Sequence, residues 1–173
     1  MSVTRALTLD DVPVLSALVT AERDFLAPWE PTRDPGWFTV DGQRSHVSLV
    51  LQDVEQGTHV ARVIVDAAGD VVGRINLSGI RRGALQSGAL GYWVASGANG
   101  RGLATAAVGE VLAHALGDLG LHRVQAETLV HNLASQTVLR RNGFVQYGLA
   151  PQYLRIAGRW QDHLMFQVLA PQD

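Results

Sequence analysis

The chain has 173 residues, 47% apolar and 17% charged, with 18 glycines and a formal net charge of −2. That length and apolar share suit one compact domain with its own core and many tight turns, and they exclude a disordered or fibrous chain. No cysteine is present, which excludes disulfides, thiolate metal sites and a cysteine nucleophile, and the near-neutral charge gives no general attraction to polyanions, so direct nucleic-acid binding is not expected.

A short strand is expected over residues 3–9. Asp10 or Asp11 followed by Pro13 is a helix-start signal. Val14, Leu15, Leu18, Val19, Phe25 and Leu26 then recur at helical spacing, so a helix should run toward Ala27 until Pro28, Pro31 and Pro35 end it. Residues 26–38 set Trp29 and Trp37 among those prolines, an aromatic loop that either shapes a cleft or packs as a lid. Val47, Val50, Leu51 and Val54 mark a second helix before Gly57. Residues 58–65 and 71–77 are β-rich runs joined by a turn at 66–70, and residues 88–94 add a third strand to an antiparallel meander. The next helix starts at Gly102, with Val108, Val111, Leu112, Ala115, Leu116 and Leu119 on one face, and stops near Gly117 to Gly120. A strand over 122–129, a helix over 132–142 with Gly143 in the stop position, and a strand over 144–147 follow. Residues 153–156 and 160–168 close the chain as a hairpin. No repeat, linker or low-complexity tract divides it, so residues 1–173 read as a single domain. No leader and no apolar run near the roughly 20 residues of a bilayer span is visible, so a soluble, cytoplasmic protein is expected. The six histidines lack the spacing of a helical metal site, and no metal is expected.

The strongest local signal is Tyr92-Trp93-Val94 followed by Asn99-Gly100-Arg101-Gly102-Leu103-Ala104-Thr105. A strand, a glycine turn and a helix start in succession build an anion site. The glycines let backbone N–H groups converge on phosphate oxygens, the helix N-terminus adds partial positive charge, and Arg101 adds a full one. A bare turn is the other reading of an isolated Gly-x-Gly. The loop lacks the Gly-Lys-Ser/Thr ending of a P-loop and opens no βαβ dinucleotide unit, which leaves another pyrophosphate ligand.

At these residues the chain resembles the GNAT N-acetyltransferase superfamily, whose coenzyme-A loop reads Gln/Arg-x-x-Gly-x-Gly/Ala at a strand-to-helix junction. Gly100-Arg101-Gly102 matches its end, whereas Gly97 stands where Gln or Arg is usual, so a side-chain contact is lost there. His131-Asn132-Leu133-Ala134-Ser135 and Leu139-Arg140-Arg141-Asn142-Gly143-Phe144 resemble a second family block. Phe25-Leu26-Ala27-Pro28-Trp29-Glu30-Pro31 and the run from Tyr153 to His163 are similar to RimJ-type ribosomal-protein alanine N-acetyltransferases, so the resemblance covers nearly the whole chain. It implies an α/β (α+β) GNAT fold, a mixed, mostly antiparallel sheet of about seven strands flanked by helices. It also implies acetyl transfer from acetyl-CoA, without a metal, to the α-amine of a protein N-terminus, or to a small amine in close relatives.

The implied mechanism is direct attack by a neutral amine on the thioester, with no acetyl-enzyme, and the lack of cysteine agrees. Trp93, Val94, Asn99, Gly100, Arg101, Gly102, Leu103, Ala104 and Thr105 would hold acetyl-CoA, with Asn132 on the pantetheine arm or serving only as a helix cap. The resemblance to RimL relatives makes Ser135 the donor to the departing thiolate, against a plain backbone-bonded helix serine. Arg123, Gln125 and Glu127 alternate onto one strand face, where Glu127 is either the base or half of an ion pair, with water as a substitute base. Trp29, Glu30 and Tyr153 are expected around the acceptor. A catalytically silent acyl-CoA sensor is the rival of another class, and a homodimer is a possible assembly.

Overall fold

The computed structural model describes residues 2–171. Seven strands form one sheet: β1 (Thr4–Ala6), β2 (Val60–Val65), β3 (Val71–Arg81), β4 (Ser87–Val94), β5 (Arg123–Leu129), β6 (Val145–Ile156) and β7 (Arg159–Leu169). Their spatial order is β1-β2-β3-β4-β5-β7-β6, and every neighbouring pair is antiparallel except β4 and β5. The helices are α1 (Val12–Ala21), the single turn α2 (Arg23–Leu26), α3 (Val40–Glu55), α4 (Leu103–Ala113) and α5 (Leu133–Arg141). This is the mixed, mostly antiparallel seven-stranded architecture that the family resemblance implied. Among the described residues no helix is long and apolar enough to cross a membrane.

Strand alternation distributes the helices over both faces of the sheet. On one face Ala61 and Val63 of β2 pack with Val12 and Leu15 of α1 and with Val47 and Val50 of α3. On the other, Ile75, Leu77, Val124, Ala126 and Phe166 cover Ala107, Val108 and Val111 of α4 and Leu139 of α5. Each such buried aliphatic side chain contributes roughly 1.5–3 kcal/mol, which fixes the two helix layers against the sheet.

Several element bounds differ from expectation, for local physical reasons. The first strand is short because residues 9–11 turn as a 3₁₀ helix, in which the buried Asp11 carboxylate accepts from Thr8 N at 2.9 Å and pairs with Arg5 at 2.6 Å. The first helix breaks at Glu22 (φ −92°, ψ 7°). The Glu22 carboxylate accepts from Ser96 N and Oγ at 3.0 and 3.1 Å, so the break is tied to the loop that leads into α4. The helix expected to reach Leu119 is α-helical to Ala113 and widens into a π turn over His114–Asp118 before Gly120 at φ +60°. The strands expected at 144–147 and 153–156 are one strand, β6, whose register slips around Pro151 and Gln152, the latter at φ +47°. A proline has no N–H to give the ladder, which interrupts the pattern without ending the strand.

The feature that creates the site is a separation of strands. β4 and β5 pair only from Ser87↔Arg123 to Ala89↔Gln125, yet β4 continues to Val94 and β5 to Leu129. Beyond Ala89 the two strands diverge, and the sheet opens as a V between its two helix layers.

Candidate active site

A cavity of about 390 Å³ occupies that V, walled by Leu90 to Trp93 on one side and Ala126 to Leu129 on the other. The glycine loop follows β4, whose Leu90 to Trp93 form that wall, but none of residues 99–105 lines the cavity itself. Gly100 and Gly102 sit at φ +76° and +78°, a region L side chains rarely adopt, which explains both glycines. Among the described residues, none of the backbone N–H groups from Gly100 to Thr105 donates to the protein, and the first helical bond is Ala106 N to Gly102 O at 3.0 Å. A run of free donors at a helix N-terminus, beside the exposed Arg101, is an anion cradle. Asn99 enters it exposed and extended, and Leu103, Ala104 and Thr105 form the first helical turn. Trp93 lines the cavity wall, while the Val94 side chain is buried in the core and only its backbone is left for a ligand.

The cradle is held from α5. Asn142 Nδ2 donates to Thr105 O at 3.1 Å and to Val138 O at 3.0 Å. Gly143 turns at φ +79°, and Phe144 buries its ring and returns a hydrogen bond to Leu139 O at 3.1 Å. The Asn-Gly-Phe block therefore clasps the end of α5 to the start of α4. Asn142 was not among the site residues read from sequence, although that block was its signal.

At the other end of α5, Asn132 is the helix cap: its Oδ1 accepts from Ser135 N at 3.1 Å, and its Nδ2 has no partner among the described residues. Ser135 Oγ lies 2.9 Å from the Tyr92 hydroxyl, which also donates to Ser135 O at 3.2 Å. Burial pushes the Tyr92 phenol up to about 12, against the opposing pull of the Ser135 hydrogen bond, so it stays protonated at neutral pH. Tyr92 was read only as part of the strand before the loop. Its register opposite Ile75 puts it on the α4–α5 face, where it meets Ser135.

Arg123, Gln125 and Glu127 alternate with buried Val124, Ala126 and Thr128, as expected. Glu127 lines the cavity with no hydrogen bond or ion pair among the described residues, and burial pushes its carboxyl up. Trp29 also lines it, its ring 5.6 Å from that of His131. Glu30 lines it while its carboxylate lies 3.4 Å from Arg33 Nε. The Glu30 carbonyl accepts from Ala157 N at 3.0 Å, which anchors the tryptophan loop to the β6–β7 turn. Tyr153 is not on the wall itself. It packs edge-on at 5.6 Å against His163, which is, and the charge of Glu127 raises its hydroxyl.

Sequence reading missed the cavity's basic end. Arg33 stacks 4.1 Å over Trp37, whose ring lies 4.7 Å from that of His46. Burial, then the charges of Arg74, Arg33 and His59, push His46 down to about 4, so it is neutral at pH 7. Arg74 is 4% exposed and makes no hydrogen bond among the described residues. Burial lowers its guanidinium to about 10, which leaves it cationic at neutral pH. No cluster of three or more metal-ligating side chains exists among the described residues.

Residues 3–145 match the family model described as an acetyltransferase (GNAT) domain, and the chain belongs to the GNAT acetyltransferase family. Among curated proteins it is 34% identical to "Probable N-acetyltransferase YjcK" of Bacillus subtilis (strain 168), over 98% of this chain and 94% of that protein. It is 30% identical to the ribosomal protein uS5-alanine N-acetyltransferase of Escherichia coli (strain K12), over 86% of this chain and 77% of the relative. Among solved structures, Mycobacterium smegmatis RimJ in complex with CoA-disulfide superimposes with a TM-score of 0.92 at 34% identity, covering 98% of this chain and 84% of that one.

Proposed function

We propose that the protein transfers the acetyl group of acetyl-CoA to the N-terminal α-amine of a protein, of the ribosomal kind that its relatives' names describe, in the cytoplasm where acetyl-CoA is available. The observation that carries this reading is the continuity of the V. One cavity reaches Ser135 and Tyr92 on the α4–α5 face and Glu127 on the face of α1 and α3, and α5, which carries Ser135, is tied by Asn142 to the start of α4 behind the free amides. The amides and Arg101 take the pyrophosphate, while Asn99 and the edge of Trp93 and Val94 flank the nucleotide arm. The unpartnered Asn132 Nδ2 is a donor for a pantetheine carbonyl. In the transfer the amine nitrogen attacks the thioester carbon and the C–S bond breaks. The amine's surplus proton goes to Glu127, directly or through water, while the thiolate takes a proton from Ser135, which regains one through water as Glu127 releases its own, so the net proton moves from amine to thiol. Tyr92 acts as a positioning residue that fixes the Ser135 hydroxyl. An α-amine of pKa about 7.7–8.0 is roughly a tenth neutral at pH 7, whereas a lysine at about 10.4 is neutral in only a few parts in ten thousand, so the N-terminal acceptor needs little help from a base.

The test is acetyl transfer to two peptides that begin with Ala and carry the same internal lysines, one with a free and one with a blocked N-terminus. Mass spectrometry should find acetyl only on the free α-amine. Modification of the blocked peptide at lysine, or activity confined to small amines, would sink the N-terminal assignment and leave the acetyl-CoA reading standing.

A further inference from the structure

Two unpaired polar groups at the cavity's basic end have no role in acetyl transfer. Arg74 and Asn76 lie two residues apart on β3, and their registers opposite Trp93 and Gly91 of β4 put both on the α1–α3 face of the V. Both line the cavity. The guanidinium Nε and Nη2 of Arg74 and Oδ1 of Asn76 are shut away from bulk solvent with no hydrogen-bond partner among the described residues. A buried cation left without partners costs several kcal/mol, and a site that retains one is built to satisfy it with something else. The nearest acids do not do so. Glu30 is engaged by Arg33 at 3.4 Å, and Asp11 is held by Arg5 at 2.6 Å. Their charges favour the Arg74 cation from a distance, but neither forms a salt bridge with it. His46, the remaining ionisable group on this wall, is neutral at pH 7.

The same cavity contains a second isolated charge of opposite sign, Glu127, across the V on β5. Arg74 stands opposite Trp93 on β4, well past the last β4–β5 pair at Ala89 and Gln125, so the widening gap lies between it and Glu127. A ligand complementary to this wall carries an ammonium at one end and a carboxylate at the other, with an N–H between them for Asn76 Oδ1. A peptide N-terminus followed by an acidic side chain has that layout, its α-amine toward Glu127 and its acidic group some residues away.

We propose that Arg74, with Asn76, forms an acceptor subsite for a carboxylate, so that the preferred acceptor is an N-terminus with Asp or Glu at its second or third position. This rests on the reading of the V as the acceptor site. Arg74 is here a specificity residue that touches substrate but moves no proton. A hydrogen bond to a charged partner contributes about 1.5–3 kcal/mol, equivalent to a preference of roughly 10- to 150-fold.

The test compares Ala-Glu, Ala-Ala-Glu and the matching Gln and Lys peptides, with free glutamate and a small uncharged amine as further arms. The parent enzyme should favour the Glu peptides over their Gln counterparts by roughly 10- to 150-fold in kcat/KM, and Lys should be poorer than Gln. Arg74→Gln should reduce the Glu-over-Gln ratio to within about threefold, and Arg74→Lys should retain part of it. Because a buried Arg variant can fail to fold, calorimetry on the parent enzyme with CoA present is run in parallel. There, acetyl-Ala-Glu-amide should bind measurably more tightly than acetyl-Ala-Gln-amide. Equal rates for Glu and Gln peptides, or calorimetry showing no difference between the two product peptides, overturns the subsite even if both peptides are acetylated on their α-amines, in which case the N-terminal reading stands. Acetylation of glutamate in place of every peptide, lost in Arg74→Gln, sinks the N-terminal reading and retains the carboxylate subsite.

Discussion

Glu127 shows how one side chain couples chemistry to stability. It lines the acceptor side of the V without a hydrogen bond, and burial alone pushes its carboxyl up. Its folded-state pKa therefore exceeds its unfolded one, and the folded chain holds the proton more tightly. Stability from this group is fully present below the ordinary carboxylate range and is lost as pH rises through the raised value. Glu127→Gln removes the charge and keeps the shape. At neutral pH its Tm should exceed that of the parent, by roughly 2–4 °C for each kcal/mol of relieved burial, and the two should converge in acid where the parent is protonated. The same change should lower kcat/KM by roughly 100-fold or more if Glu127 takes the amine proton. Thermal melts across pH together with initial rates check both, and parental kcat/KM in the variant would hand the role of base to water. A gain in stability with a loss of activity is the signature of a charge retained for function and not for folding.

The junction of β4, the glycine loop and α4 works as one element, and backbone geometry dictates its residue types. Gly102 caps α4 at φ +78°, and a Cβ built there meets nothing within 4 Å. Gly102→Ala should therefore cost stability through the backbone alone, about 1–2 kcal/mol, whereas Gly102→Val should also crowd the space over the free amides. Calorimetry with acetyl-CoA should show Gly102→Val binding at least roughly 10-fold more weakly, with Gly102→Ala between it and the parent. Parental affinity in Gly102→Val would mean that the pyrophosphate does not lie on this turn. Such constraints explain why this part of the site was legible in the sequence. Positive-φ glycines at 100, 102 and 143 leave their mark on residue identity, and so does the Asn132 cap. Arg74 and Tyr92 left no such mark. Arg74 sits in a β-rich run where period-two alternation does not say which face is a cavity, and Tyr92 meets Ser135 only through the packing of α5 on the sheet. The divergence of β4 from β5 was equally hidden, because pairing across a parallel junction depends on strand order and on where the ladder stops. Helix and strand limits failed for local causes, such as the Glu22 carboxylate reaching Ser96 and Pro151 interrupting β6.

Across the whole molecule, the sheet separates two sets of candidate site residues by face and opens one gap between them. The free amides of the glycine loop and Ser135 belong to the α4–α5 layer, whereas Glu127, Arg74 and the tryptophan loop belong to the α1–α3 side. In the proposed reading the gap that opens beyond Ala89 and Gln125 holds the thioester and the amine together. The chain contains no cysteine, and Ser135 shares its hydroxyl with Tyr92 and has no histidine partner among the described residues, which disfavours an acetyl-serine relay. The proposed direct transfer requires a ternary complex. Initial rates measured against both substrates should give intersecting double-reciprocal lines, and not the parallel lines of a covalent relay. The chain offers a clean check on the same point, because all 14 of its basic Lys and Arg residues are Arg and no side chain carries a primary amine. Enzyme mixed with acetyl-CoA alone should keep its intact mass on the timescale of turnover. Parallel lines, or an acetylated enzyme that delivers its acetyl group to a peptide added after acetyl-CoA is removed, would replace direct attack with a covalent intermediate and make Ser135 the first residue to examine as its carrier.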